Sequence, residues 1–302
     1  MKRAHANGLL LVAALIWGTA FVAQQTGMRD VGPFAFTGTR FLLGAAVIAP
    51  LAVWELRRLG RRGTFLDARD LLAACGLGVV LFLGAVLQQV GIVDTTVSNA
   101  GFLTALYVPL VPLAGALLLR ERSHWSVLPA SLGCFAGTFL LGGGSLAALS
   151  AGDLWVIASA VFWAAHVMLV GHVAARKGAS VTVAMLQFLV TGLLGMALGL
   201  GQEGISLDAL ARAMPSIAYA GFLSVGVGYT LQVVAQRHTR AADAAILLSC
   251  ETLFAALAGR WVLGEEMSGM QLAGGILIFG CVLAVQVLPL IGRRRDALAE
   301  AA

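Results

Sequence analysis

Apolar runs of roughly 17–22 residues recur along the chain, and a helix of that length spans about 30 Å of hydrocarbon. Ten can be marked, at 8–28, 33–54, 71–92, 97–119, 125–142, 153–171, 180–200, 214–236, 243–263 and 269–290. None alternates with the two-residue period of a membrane β-barrel, and lipid leaves helices as the remaining way to satisfy the backbone. Composition agrees: of 302 residues 59% are hydrophobic and 12% charged, with a mean hydropathy of +0.90. A soluble domain carries about 25% charged residues. The expected fold is an all-α membrane protein of ten transmembrane helices.

Basic residues set the expected orientation, because cytoplasmic loops retain Arg and Lys. Lys2 and Arg3 precede the first run, and Arg57, Arg58, Arg61, Arg62 and Arg69 follow the second. Arg120 and Arg122 follow the fourth, Arg176 and Lys177 the sixth, Arg237 and Arg240 the eighth, and Arg293, Arg294 and Arg295 the tenth. The intervening loops hold only Arg29, Arg212 and, at an edge, Arg260. Both termini are therefore expected in the cytoplasm, in a bacterial-type inner membrane. The net charge of +5 reports this sidedness, not nucleic-acid binding. The opening "MKRAHANGLLLVAALIWGTAFVA" also has the basic head and apolar body of a signal peptide. Its place in an internal repeat argues that it is kept.

That repeat appears when the chain is laid on itself. A shift of 144 puts Leu87-Gln88 on Leu231-Gln232, Val90 on Val234, Thr95 on Thr239, Leu119 on Leu263, Glu121 on Glu265 and Phe135 on Phe279. A shift of 146 puts Trp17 on Trp163, and one of 147 puts "RFL" at 40–42 on "QFL" at 187–189. The expected units are two five-helix repeats, 1–145 and 146–302. Five is odd, so the second repeat should cross the membrane inverted. Arg122, expected inside, aligns with Glu266, expected outside. Inverted repeats are a transporter architecture, with the site near the midplane between the halves.

The segments "YVPLVPLAGALLLRERSHW" (107–125) and "CETLFAALAGRWVLGEEMSG" (250–269), with "IWGTAFV" in the first run, also carry a resemblance. They resemble the paired signature of the EamA-type, ten-helix branch of the drug/metabolite transporter superfamily. That signature has Pro or Glu-Pro, then small residues, then Leu-Gly-Glu. Two positions depart from it: Thr252 stands where the second motif usually has Pro, and Arg120 where the first usually has Gly. Within the superfamily they are similar to bacterial amino-acid exporters of the YddG kind. The resemblance implies a basket of ten helices around a central cavity, with the fifth helix of each half outside it.

Charge at depth is expensive in a bilayer, so buried ionisable groups are expected to face protein or water. Glu251, inside "LLSCETLFAALAGRWVL", and Arg40, a third of the way along the second run, are the two clear cases. They could flank the cavity as a split pair. The reading favoured on sequence instead has Glu251 clamping a neighbouring helix by accepting its hydrogen bonds. Arg40 could equally snorkel to an interface. Trp17, Trp163, Tyr107 and His166 lie at mid-bilayer depth, away from the usual aromatic belts. They offer an aromatic wall, or ordinary packing. Gln24, Gln88, Gln89, Asn99, Gln187, Gln232 and Ser249 could offer neutral hydrogen bonds. Pro109 and Pro112 are expected to kink the fourth run more than the ninth, which has no proline at the aligned sites. "GCFAG" (133–137) and "GMALG" (195–199) are small-xxx-small patterns suited to close helix approach.

A secondary transporter fits these features best. GxGD, HExxH, GxSxG and Walker motifs are absent from the sequence, so an enzyme or an ATP-driven pump is disfavoured. Cys75, Cys134, Cys250 and Cys281 lie in apolar runs without metal-ligand spacing and read as small hydrophobes. No metal or cofactor is expected; the partners are the bilayer and a small solute. The first run has no acid to neutralise a lipophilic cation, and the ninth no deep base for a phosphate. A zwitterion with an apolar or aromatic side chain suits the set. A multidrug or other metabolite exporter is the alternative, and a channel or scaffold the other class.

Overall fold

The structure, a computed structural model, describes residues 1, 3–95, 97–118, 120, 124–141, 144, 150–263 and 268–300. Every regular element among them is helical. The first half contains α1 (Arg3–Gly27), α2 (Pro33–Gly60), α3 (Ala68–Val93), α4 (Val97–Thr104), α5 (Tyr107–Leu118) and α6 (Val127–Leu141). The second contains α7 (Ala151–Ala175), α8 (Ser180–Gln202), α9 (Leu207–Ala218), a π-helical stretch (Tyr219–Tyr229), α10 (Thr230–Gln236), α11 (Ala241–Leu248), α12 (Cys250–Leu263) and α13 (Gly269–Glu300). Among the described residues eight helical spans are long and apolar enough to cross a membrane, and 127–140 and 269–285 are shorter apolar helices. Leu72, Leu117, Val161, Leu193 and Ile276 point outward and exposed, as a lipid-facing surface allows.

The two halves interlock. α2 packs along α8, α3 along α7, α6 along α13 and α1 along α12. Helix ends show how the first two pairs run. Glu55, near the end of α2, accepts from the backbone N–H groups of Val181 and Thr182 at the start of α8, at 3.3 and 2.8 Å. Glu203, just past α8, accepts from those of Phe34 and Ala35 at the start of α2, at 2.8 and 2.7 Å. Each carboxylate satisfies otherwise orphaned amides and meets the positive end of a helix dipole. At the ends of α3 and α7, Arg176 donates to Asp70 at 2.9 Å, and Thr95 donates to Asp153. Both pairs are therefore antiparallel. Asp70 and Asp153 also close capping boxes, with Asp67 and Ser150, that start α3 and α7.

The two small-xxx-small patterns lie at helix crossings. A Cβ on Gly195 would sit 2.7 Å from the backbone nitrogen of Gly38 in α2, and one on Gly137 would sit 2.8 Å from the carbonyl oxygen of Gly274 in α13. Backbone meets backbone there, so no flexible side chain can give way. Gly195→Leu should lower the yield of monodisperse protein on size exclusion severalfold. Gly8→Leu, on a glycine with open space around it, should leave it unchanged.

The proline prediction is met in place: the helix breaks at 105–106, between α4 and α5. Pro109 has no N–H for the carbonyl of Ala105 and its ring crowds that turn. The amide of Val108 bonds that carbonyl instead, at 3.0 Å. The ninth run also breaks, at Ser249 between α11 and α12, without a proline. There the Ser249 hydroxyl donates to the Ile246 carbonyl at 2.7 Å, and the Thr252 hydroxyl to the Ser249 carbonyl at 2.8 Å. Hydroxyls that bond back to the chain bend a helix as a proline does. Thr252 thus supplies a bend in the motif that usually has Pro. Arg120, where the other motif usually has Gly, takes φ +53°. Left-handed backbone costs a side-chain-bearing residue about 1–2 kcal/mol. Arg120→Gly should therefore raise the melting temperature in detergent by a few degrees. The aligned Leu119, Glu121, Arg122, Glu265 and Glu266 lie outside the described residues.

Candidate functional site

Where the two halves face each other lies a small cavity of about 50 Å³. Its wall draws on α1, α2, α3, α4, α5, α7, the π-helical stretch, α10, α11 and α12. Of the residues singled out from sequence, Trp17, Arg40, Gln88, Tyr107, Trp163 and Glu251 all line it.

Arg40 is 4% exposed, so it does not snorkel to an interface. Its guanidinium carbon stands 5.5 and 5.2 Å from the ring centroids of Phe36 and Phe41, and its Nε has no hydrogen-bond partner. Glu251, 7% exposed, opens α12 and also faces the cavity. Among the described residues no ion pair forms between them, and no side-chain hydrogen bond or ion pair involves the Glu251 carboxylate. The clamp expected for Glu251 needs a donor on a neighbouring helix, and the described structure supplies none. An acidic and a basic side chain thus share one wall without an ion pair between them.

The neutral groups repeat the theme. The Oε1 atoms of Gln24 and Gln232 and the Nε1 of Trp163 are buried without partners. A buried polar group left unpaired costs about 1–3 kcal/mol, which a polar solute or water in the cavity can offset. Gln88 is better satisfied: its Nε2 donates to the Thr104 hydroxyl at 2.8 Å. Gln88 and Gln232 line the cavity together, as do Trp17 and Trp163, so both repeat-related pairs converge on it.

Tyr229 was not singled out from sequence, yet it is the hub of the aromatic wall. Its ring centroid lies 4.5 Å from Trp17, 5.8 Å from Phe41, 6.0 Å from Phe188 and 6.2 Å from Trp163, the last nearly parallel at 16°. The π-helical stretch ending at Tyr229 also leaves the Ser224 carbonyl to accept from Trp17 Nε1 at 3.1 Å. Widened turns of this kind often mark functional positions.

His166 and Gln187 were expected on the cavity wall, and the structure sets them behind it. Both are fully buried, and His166 Nε2 donates to Gln187 Oε1 at 2.8 Å. The imidazole meets Trp163 and Tyr229 edge-on, each at 6.3 Å. It therefore braces the rings that face the cavity. The side chain of Asn99 lies outside the described residues.

Residues 6–143 and 150–286 each match the model of the EamA-like transporter family. An uncharacterized transporter of Archaeoglobus fulgidus is 28% identical over 95% of this chain and 87% of its own. One of Bacillus subtilis is 27% identical over 97% and 96%. A probable terminal-alkyne amino-acid exporter of Streptantibioticus cattleyicolor is 25% identical over 98% of both. A solved crystal structure superposes with a TM-score of 0.79 over 98% of this chain and 100% of that one, at 21% identity, a likeness of fold.

Proposed function

The chain belongs to the EamA-like transporter family, and on that premise we propose a secondary carrier that exports zwitterionic amino acids with apolar or aromatic side chains. It is a multi-pass membrane transporter; the substrate, the sidedness and the ten-helix count are the proposed part. The single observation that carries the substrate class is the unpaired Arg40 and Glu251 on one cavity wall. Arg40 would take the carboxylate and Glu251 the ammonium, each through a charge-assisted hydrogen bond. The side chain would lie against Trp17, Tyr229 and Trp163, which is why apolar and aromatic amino acids fit.

Inversion of the repeats 1–145 and 146–302 is supported by the way contacts pair up. Thr95 donates to Asp153, and Thr239 donates to Asn7 at 3.1 Å. Thr95 and Thr239 are 144 apart, Asn7 and Asp153 146 apart, so one contact is the repeat of the other with the halves exchanged. The reciprocal caps of Glu55 and Glu203 repeat the pattern. An inverted pair puts the basic loops on one face, and that face is the cytoplasmic one. A cysteine at Gln202 should then react with an impermeant maleimide added to whole cells, and one at Gly60 should not. The reverse pattern would overturn the orientation.

Saturation and exchange distinguish a carrier from a channel. Liposomes loaded with leucine or phenylalanine should take up the labelled amino acid by exchange, with saturation. Transport of a quaternary ammonium dye with no amino-acid exchange would instead support a multidrug exporter of the same fold.

A further inference from the structure

Next to the cavity, toward Arg237 and Arg240, lies a second and larger space of about 550 Å³. Val167 lines both spaces, so one layer of side chains separates them. Gln232 lines the cavity and Gln236, one helical turn on, lines the outer space. Gln236 is 4% exposed; its Nε2 donates to the Val167 carbonyl at 2.8 Å, and its Oε1 has no partner. Its neighbour Arg237 is fixed through Nη1 by the Ser180 hydroxyl at 3.0 Å and the Gly178 carbonyl at 3.4 Å, leaving a buried Nε without a partner. An amide with an unpartnered oxygen and the immobilised guanidinium next to it in sequence therefore line one space, with the exposed His238 and Arg240 adding basic character to the wall.

We propose that Gln236 and Arg237 form a second solute site in series with the cavity, taking the ammonium and carboxylate of a zwitterion on its way in. It offers the same two functions as Arg40 and Glu251, with an amide in place of the carboxylate, which suits brief occupancy. The Gln236–Val167 hydrogen bond fixes the amide in the wall of the outer space with its Oε1 buried and unpartnered, and the unpartnered Oε1 of Gln232 lies one helical turn further in. This inference rests on the transporter reading for its purpose but not for its detection.

The test uses the full chain with the four native cysteines replaced by alanine and a single cysteine at Ala175, exposed on the wall of the outer space. Phenylalanine should slow the reaction of that cysteine with an impermeant maleimide severalfold. Phenylpropionate and phenethylamine, each carrying one of the two charges, should slow it less. Protection by phenylalanine should survive Arg40→Gln, persist in Gln236→Glu and vanish in Gln236→Leu. Should Gln236→Leu not fold, Arg237→Gln should reduce protection by phenylalanine and phenylpropionate alike. Unchanged protection in Gln236→Leu and Arg237→Gln, loss of protection in Arg40→Gln, or no protection in a protein that exchanges phenylalanine would each overturn the site. Protection without any exchange would uphold it while removing the export reading.

Discussion

Glu251→Gln should leave the protein folded and cut amino-acid exchange by roughly 10- to 100-fold, the worth of a charge-assisted hydrogen bond of about 1.5–3 kcal/mol. The amide keeps the size of the side chain and an acceptor oxygen but loses the charge that would hold an ammonium group. Because no described donor contacts the native carboxylate, the substitution breaks no helix-to-helix bond. Arg40→Gln should fall by a similar factor, for the carboxylate end of the same solute. The pair is informative together. If both charges hold one zwitterion, the double variant should lose less than the product of the single losses, since either change alone already leaves one end of the solute unheld. Exchange in liposomes, normalised to folded protein, reads both. A Glu251→Gln protein with near-native exchange, alongside a Glu251→Ala protein that fails to accumulate, would restore the clamp and remove the split pair.

What was legible in the sequence was what a bilayer makes conspicuous. Run lengths placed the helical segments, because hydrocarbon forbids polar interruptions that a soluble core would tolerate. Arg40 and Glu251 stood out for the same reason, and both reach the cavity. Trp17 and Trp163 were marked as a pair by the repeat, and they meet there too. Less legible was which way a polar residue faces once its depth is known. His166 and Gln187 lie at a suitable depth but turn toward each other, and on a helix one position is a 100° rotation. Pairing between two polar side chains leaves no trace in a repeat alignment. The break at Ser249 was hidden because serine and threonine bend a helix only when their hydroxyls bond back to it, whereas proline does so by its covalent structure. Tyr229 was hidden for a further reason. The repeat lays it on Ala85, so symmetry offered no hint. The π-helical turns before it also change the register by which helical periodicity assigns a face.

The largest structural effect is expected at that same tyrosine. Tyr229 is 8% exposed and touches rings from α1, α2, α7 and α8 at once: Trp17, Phe41, Trp163 with His166, and Phe188. Elements of both halves therefore meet on one side chain. Lipid gives little hydrophobic drive for helices to associate, so this contact works through packing, and packing is what truncation removes. Large aromatic-to-alanine changes in protein cores cost about 3–5 kcal/mol, and each aromatic pair adds roughly 0.5–1.5 kcal/mol beyond its buried area. Tyr229→Ala should accordingly lower the melting temperature in detergent by more than any other single cavity substitution, with Trp17 fluorescence shifted as its neighbour is lost. Tyr229→Phe keeps every ring contact and should melt as the native protein does. Any change it makes to exchange then belongs to the hydroxyl of a residue that lines the same cavity as Arg40 and Glu251. A Tyr229→Ala protein as stable as the native one would show that the two halves are held elsewhere, along the α2–α8 and α3–α7 seams and their end caps. The aromatic cluster would then be a lining alone.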